Sequence, residues 1–157
     1  MPRLFLDGDG VLADLYGYIE SIYGLSYERV YPILGHERFW REMKEHGDLH
    51  FKLAELPEGR LVYEAVKHLC PSVLTGYPDG CGEWVTEEKR RWYALHFPGV
   101  PVIVCLSRDK CHYMQPGDVL VDDRLKYQPF WIDAGGVFVL HRTASETIAE
   151  LERLGML

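Results

Sequence analysis

The residues able to do chemistry in this chain cluster in four short segments. The first is Asp7-Gly8-Asp9-Gly10, which follows an apolar run. Alternate residues of an extended chain share a face, so the two carboxylates can point the same way, and the glycines let the backbone turn away sharply. Like charges this close need a cation or a proton between them. The second segment is Thr75-Gly76, a hydroxyl and a reachable N–H. The third is Lys110, after Ser107-Arg108-Asp109. The fourth is the adjacent pair Asp122-Asp123, followed by Arg124. Four carboxylates, a hydroxyl, a lysine and glycine amides suit phosphoryl transfer. Hard oxygen ligands hold Mg²⁺, and the metal offsets repulsion between an attacking carboxylate and a phosphate. Lys110 is a compact charge for the phosphate, and Thr75 and the Gly76 N–H can meet its equatorial oxygens. One carboxylate can attack phosphorus while a second shuttles the proton.

These segments need a frame that brings them together. Five short apolar runs recur: Arg3–Leu6, Ser72–Thr75, Val102–Leu106, Val119–Val121 and Val137–Leu140. Runs without alternation fit strands covered on both faces, and helical patterns separate most of them, which predicts a parallel α/β sheet. One helix spans Arg60–Leu69. A second runs from a Thr86 cap to about His96. A third begins at a Thr143-x-x-Glu146 capping box and ends at Gly155. Pro129 argues against a helix between the fourth and fifth runs. In such a sheet the carboxyl ends of the strands share one rim, and all four chemical segments follow strands. From Leu15 to about Leu56 the rhythm breaks. Leu15, Ile19 and Ile22, then Phe39, Trp40 and Met43, have helical spacing, which predicts a helical insert over the mouth of the sheet. The expected division is a core of residues 1–14 and 57–157 and a cap of 15–56.

With the residues set out, Leu4-Phe5-Leu6-Asp7-Gly8-Asp9-Gly10-Val11-Leu12-Ala13-Asp14 resembles the first motif of the haloacid dehalogenase (HAD) superfamily of phosphatases. The D-x-D-G-V-L-A-D form is similar to its 5′(3′)-deoxyribonucleotidase branch. The order Asp-x-Asp, Thr, Lys, Asp-Asp matches the four superfamily motifs. Glu88–Trp92, Ser107–Lys110 and Gly117–Arg124 add local likeness. The resemblance implies a Rossmann-like three-layer sandwich with a central five-stranded parallel sheet, its first strand flanked by the second and fourth. It implies Asp7 as nucleophile and Asp9 as general acid/base. Mg²⁺ would be held by Asp7, the Asp9 carbonyl and Asp123, with Asp122 adjacent through water. Thr75, Gly76 and Lys110 would bind phosphate. The expected substrate is a nucleoside monophosphate, with another phosphometabolite such as a sugar phosphate as the alternative. The chain departs from the branch at Leu15, where an aromatic residue often lines the base site, and at Gly76, where a second hydroxyl is usual. Phe39, Trp40 and Phe51 are candidates to stack on a base.

A receiver domain of a phosphorelay also gathers acids, a hydroxyl and a lysine around Mg²⁺. There the acidic pair comes first and the phospho-accepting Asp later; here the adjacent pair comes last, after Lys110. Composition narrows the partners. Apolar residues are 47% and charged residues 26%, with a net charge of −7. That is ordinary globular usage and disfavours binding to a nucleic-acid polymer through phosphate contacts. No apolar run approaches the roughly 20 residues of a membrane span, and charged Asp7 and Asp9 stand where an export signal would be apolar. Cys70, Cys81, Cys105 and Cys111 have no zinc spacing and suit free thiols in a reducing cytoplasm. His46 and His50 are expected as solvated loop residues, and Arg90 and Arg91 as a solvated face. Arg108 and Arg124 fall near the rim. The sequence does not set the oligomeric state, and a homodimer stays open.

Overall fold

The computed structural model describes residues 1–157. Five strands form one parallel sheet: β1 (Leu4–Leu6), β2 (Ser72–Tyr77), β3 (Val102–Leu106), β4 (Val119–Asp122) and β5 (Val137–Leu140), in the order β3-β2-β1-β4-β5. The expected α/β class and the flanking of β1 by β2 and β4 hold. All of β1 and β4 is buried, as expected for strands that carry no polar alternation. The register pairs Leu6 with Val73 on one side and Val121 on the other, so Asp7, Asp122 and the end of β2 reach the same rim.

The helices are α1 (Leu15–Tyr23), α2 (Tyr27–Leu34), α3 (His36–Glu45), α4 (Pro57–Val66), α5 (Gly82–His96), α6 (Gln128–Asp133) and α7 (Ala144–Arg153). Asp14 caps α1 through its carboxylate on the Gly17 N–H, and Thr143 caps α7 through its hydroxyl on the Glu146 N–H. Two sequence expectations fail here. Helix α5 begins at Gly82, four residues before Thr86, because Val85 is already buried in the core and extends the apolar face backwards. Helix α6 forms despite Pro129, since a proline in the first turn forfeits only an N–H that has no intrahelical partner.

The chain leaves the sheet at Leu12–Asp14 and returns at Ala54–Leu56. The Asp14 N–H bonds the Ala54 carbonyl, and the Leu56 N–H bonds the Leu12 carbonyl, each at 2.9 Å. These bonds clamp the base of the helical insert formed by α1, α2 and α3. The insert buries Ile19, Phe39 and Met43 in the same apolar cluster as Leu6, Val121 and Trp92. It is therefore packed on the sheet domain through one continuous core. A smaller cluster on the other side of the sheet joins Phe5, Leu74 and Leu120 to Trp131. No helix is long and apolar enough to cross a membrane.

Candidate active site

The rim of the sheet holds two buried lysines, and each is bonded to the acids beside it. Lys110, in a 3₁₀ segment after β3, donates to Asp7 Oδ1 at 2.7 Å and to Asp122 Oδ2 at 2.8 Å. Asp122 Oδ1 accepts the Arg124 N–H at 2.9 Å, so both Asp122 oxygens are committed. Lys89, on α5, donates to Asp9 Oδ2 at 2.6 Å, to Thr75 Oγ1 at 2.8 Å and to the Gly76 carbonyl at 2.8 Å. Charged groups so placed form their strongest bonds out of water, and leaving one unpaired there would be costly.

Asp123 is different. Its Oδ1 is a buried oxygen with no hydrogen-bond partner. Oxygens of Asp7, Asp122 and Asp123 all lie within 4.8 Å of one another. Gly10 carries the chain past this group at φ +84°, and a Cβ there would collide with the Asp123 carboxylate. The glycine thus satisfies both a left-handed backbone and a close approach. A clustered set of hard oxygens with an orphaned member fits a small divalent cation such as Mg²⁺.

The electrostatics follow the geometry. Burial and then the Asp122 charge push the Asp7 carboxyl up to about 7, against the opposing pull of Lys110. Burial, then Asp7 and Asp122, push Asp123 up to about 8. Burial would raise Asp9 too, but Lys89, helped by nearby His50, outweighs it and holds Asp9 below the ordinary carboxylate range. Without added positive charge the Asp7–Asp123 pair therefore retains a proton near neutrality, while Asp9 is ionised.

Above these groups is a cavity of about 260 Å³, walled by the insert and the strand-end loops. Of the expected catalytic, phosphate-binding and metal-holding residues, Asp7, Asp9, Gly76, Lys110 and Asp122 line it, and Asp123 is not part of its lining. Nor is Thr75, which is fully buried, with its hydroxyl turned to Lys89. Gly8 makes this packing possible, since a Cβ there would strike Thr75 Oγ1 and the Tyr93 hydroxyl. Gly76 remains within β2, in register with Cys105, and a Cβ on it would collide with Ser107.

The aromatic candidates divide. Trp40 lines the cavity, and so do Leu15 and Tyr16 from α1. Phe39 is fully buried in the insert against Tyr23, Tyr27 and Tyr31. Phe51 lies under the Arg91 guanidinium at 4.4 Å, away from the cavity. The loop reading of His50 is wrong: it is 2% exposed, and its backbone N–H bonds Glu88 Oε2 while its ring Nδ1 lies 3.2 Å from the same oxygen. His46 is exposed, as expected, and so are Arg90 and Arg91. Arg108 is held by both Asp79 oxygens at 2.9 and 3.0 Å. The four cysteines are free.

Sequence reasoning gave no role to Lys89 or His50. The signal for Lys89 was present in the Glu88–Trp92 likeness. A helix starting at Thr86 would leave Lys89 in its first turn, whereas the observed start at Gly82 puts it on the buried face with Val85 and Trp92.

The fold has solved counterparts. It superposes on a hydrolase from Streptococcus pneumoniae TIGR4 with a TM-score of 0.53 and 12% identity, covering 99% of this chain and 98% of that one. It superposes on a HAD-superfamily hydrolase from Ehrlichia chaffeensis with a TM-score of 0.54 and 11% identity, covering 98% of each. The chain thus shares its fold with these two hydrolases over nearly its whole length. No protein-family model matches the sequence, and the search of curated proteins finds no match.

Proposed function

We propose that this chain is a Mg²⁺-dependent phosphomonoester hydrolase of the HAD superfamily that works through an aspartyl-phosphate on Asp7. Residues 1–14 and 57–157 are its core domain and 15–56 its cap. The observation that carries this reading is the position of Asp7, on the cavity wall, bonded to Lys110 and clustered with the carboxylate of Asp123, which has an unpartnered oxygen. Asp7 and Asp123 would hold the metal, with the Asp9 main-chain carbonyl assigned by resemblance. Asp122 adds charge beside them while its oxygens stay with Lys110 and the Arg124 N–H. When bound, Mg²⁺ supplies the positive charge that offsets repulsion between a carboxylate and a phosphate dianion.

In this scheme Asp7 attacks phosphorus, and the bond to the leaving oxygen breaks. A proton carried in by the substrate's phosphate monoanion passes through Asp9 to that oxygen, leaving Asp9 as the carboxylate that Lys89 favours. As a carboxylate it then takes a proton from water, whose oxygen attacks phosphorus, freeing orthophosphate and restoring Asp7. Lys89 favours the carboxylate form of Asp9, which is the form needed in the second half. Lys110 stabilises the charge on Asp7 and is close enough to accompany a phosphate. Thr75, at 0% exposure, serves this site by fixing Lys89.

Nucleoside monophosphates are the leading substrates. Leu15, Tyr16 and Trp40 give the cavity an apolar and aromatic wall that suits a nucleobase. The test is phosphate release from a panel of nucleoside monophosphates and sugar phosphates, with wild type and Asp7→Asn. The expected result is Mg²⁺-dependent turnover that is lost in the variant and in EDTA. Equal turnover in the two proteins would remove Asp7 as nucleophile.

A further inference from the structure

Four basic side chains line the cavity: Arg108, Lys110, Arg124 and Lys126. Lys110 is neutralised by Asp7 and Asp122, and Arg108 by Asp79. Asp9, the remaining acid on the wall, is taken by Lys89. Arg124 and Lys126 form no ion pair. The Arg124 side chain meets only tyrosines, with a long bond of 3.4 Å to the Tyr16 hydroxyl and a further contact to that of Tyr27, and its guanidinium lies 5.2 Å from the Tyr27 ring centroid and 5.9 Å from that of Tyr16. Lys126 Nζ lies 5.1 Å from the Tyr127 centroid. In a protein of net charge −7, the cavity wall therefore carries two cations that no acid of the chain answers.

Arg124 is also well placed. Its backbone N–H is bonded to Asp122, so its position is tied to the catalytic rim. Tyr16 and Tyr27 come from the insert, so the guanidinium spans core and insert. A guanidinium laid against rings keeps its edge N–H groups for an acceptor in its own plane, and its fork matches a carboxylate or phosphate. Structural packing alone would not require a charge, since a neutral side chain could fill the same space between two tyrosines.

We propose that Arg124, assisted by Lys126, is a second anion-binding position in the cavity, so that a phosphomonoester, a nucleoside monophosphate included, is turned over better when it carries a further phosphate or carboxylate away from the reacting phosphate. This rests on the hydrolase reading for its kinetics and on the geometry alone for its binding. Two matched pairs separate the sources of the second anion. A nucleoside 3′,5′-bisphosphate against the 5′-monophosphate tests phosphate, and 3-phosphoglycerate against glycerol 3-phosphate tests carboxylate. In at least one pair the doubly anionic member should have a kcat/KM about tenfold higher, through KM, as for one charge-assisted contact. Arg124→Gln should bring that ratio close to one, Arg124→Lys should keep part of it, and in wild type it should shrink as salt rises.

Calorimetry on Asp7→Asn, which should bind without turnover, gives a readout independent of hydrolysis. Adding Arg124→Gln to it should weaken the affinity for the 3′,5′-bisphosphate about tenfold. If no substrate is hydrolysed but this loss is seen, the anion position stands and the hydrolase reading falls. If phosphate is released but neither pair shows a preference, or the preference survives Arg124→Gln, the proposal is overturned. Should Arg124→Gln not fold, an insensitivity of the wild-type ratio to salt overturns it equally.

Discussion

In the metal-free protein the acidic cluster makes stability fall as pH rises. The folded state keeps a proton on the Asp7–Asp123 pair up to pH 7–8, whereas an unfolded chain releases it near 4. Between those limits the native state binds more protons, so the free energy of unfolding declines with pH, and the loss is complete only above about 8. Asp7 is displaced by about three pKa units and is 6% exposed, so one proton is worth about 4 kcal/mol. Because the two carboxyls share the site, the proton is counted once. The assay is urea unfolding in EDTA at pH 5.5 and 8, with wild type and Asp123→Asn. The variant removes one of the repelling charges but leaves Asp7 buried. It should gain about 2 kcal/mol on wild type at pH 8, or about 4–8 °C in Tm for a chain of this size, and little at pH 5.5. His141 acts in the opposite direction, since burial lowers its pKa and its contribution is lost as pH falls. It is common to both proteins and drops out of the difference. Adding Mg²⁺ at pH 8 to a hundred times its Kd should raise wild type by about 2.7 kcal/mol and the variant by less. If the two proteins follow parallel pH curves in EDTA, the mutual repulsion inferred from the geometry is wrong.

Two further changes test the supports of the site. Lys89→Met should let Asp9 rise towards neutrality, so the acidic limb of the pH–rate profile should move to higher pH as the rate falls; an unmoved limb would show that Lys89 does not set Asp9. Gly59→Ala should destabilise the protein by about 1–3 kcal/mol in urea, because a methyl group there runs into the Val11 carbonyl beneath α4. An exposed helical glycine would respond with the opposite sign, so increased stability would contradict this packing.

The sheet was legible because its strands are buried on both faces. A run such as Val119-Leu120-Val121 has no polar residue to confuse the period, and the structure extends it only to Asp122. Val102–Leu106 and Val137–Leu140 coincide with their strands. The insert was legible as helical, since Leu15 and Ile19, then Phe39, Trp40 and Met43, are its buried faces. Helix starts were less so. A threonine before two glutamates resembles a cap wherever it falls, and only the burial of Val85 reveals that α5 is already under way.

The site was legible to the extent that its residues follow strands. Strand order brings Asp7, Lys110 and Asp122 together, and residue type then suggests the chemistry. What local sequence could not give is which partner each charge takes. Thr75 looked like a phosphate ligand because a hydroxyl at a strand end is free until something claims it, and the residue that claims it lies fourteen positions away on a helix face. The same holds for His50 and Glu88, separated by 38 residues, which would be ordinary surface groups on either segment alone. Both pairings are made by residues of the buried face of α5, which carries Val85, Glu88, Lys89, Trp92 and Tyr93. The site is therefore built in two tiers. Strand order places the acids and Lys110, and helix packing then brings Lys89 to hold Asp9 and Thr75. A substitution that shifted α5 without touching an acid should disturb Asp9 before it disturbs Asp7.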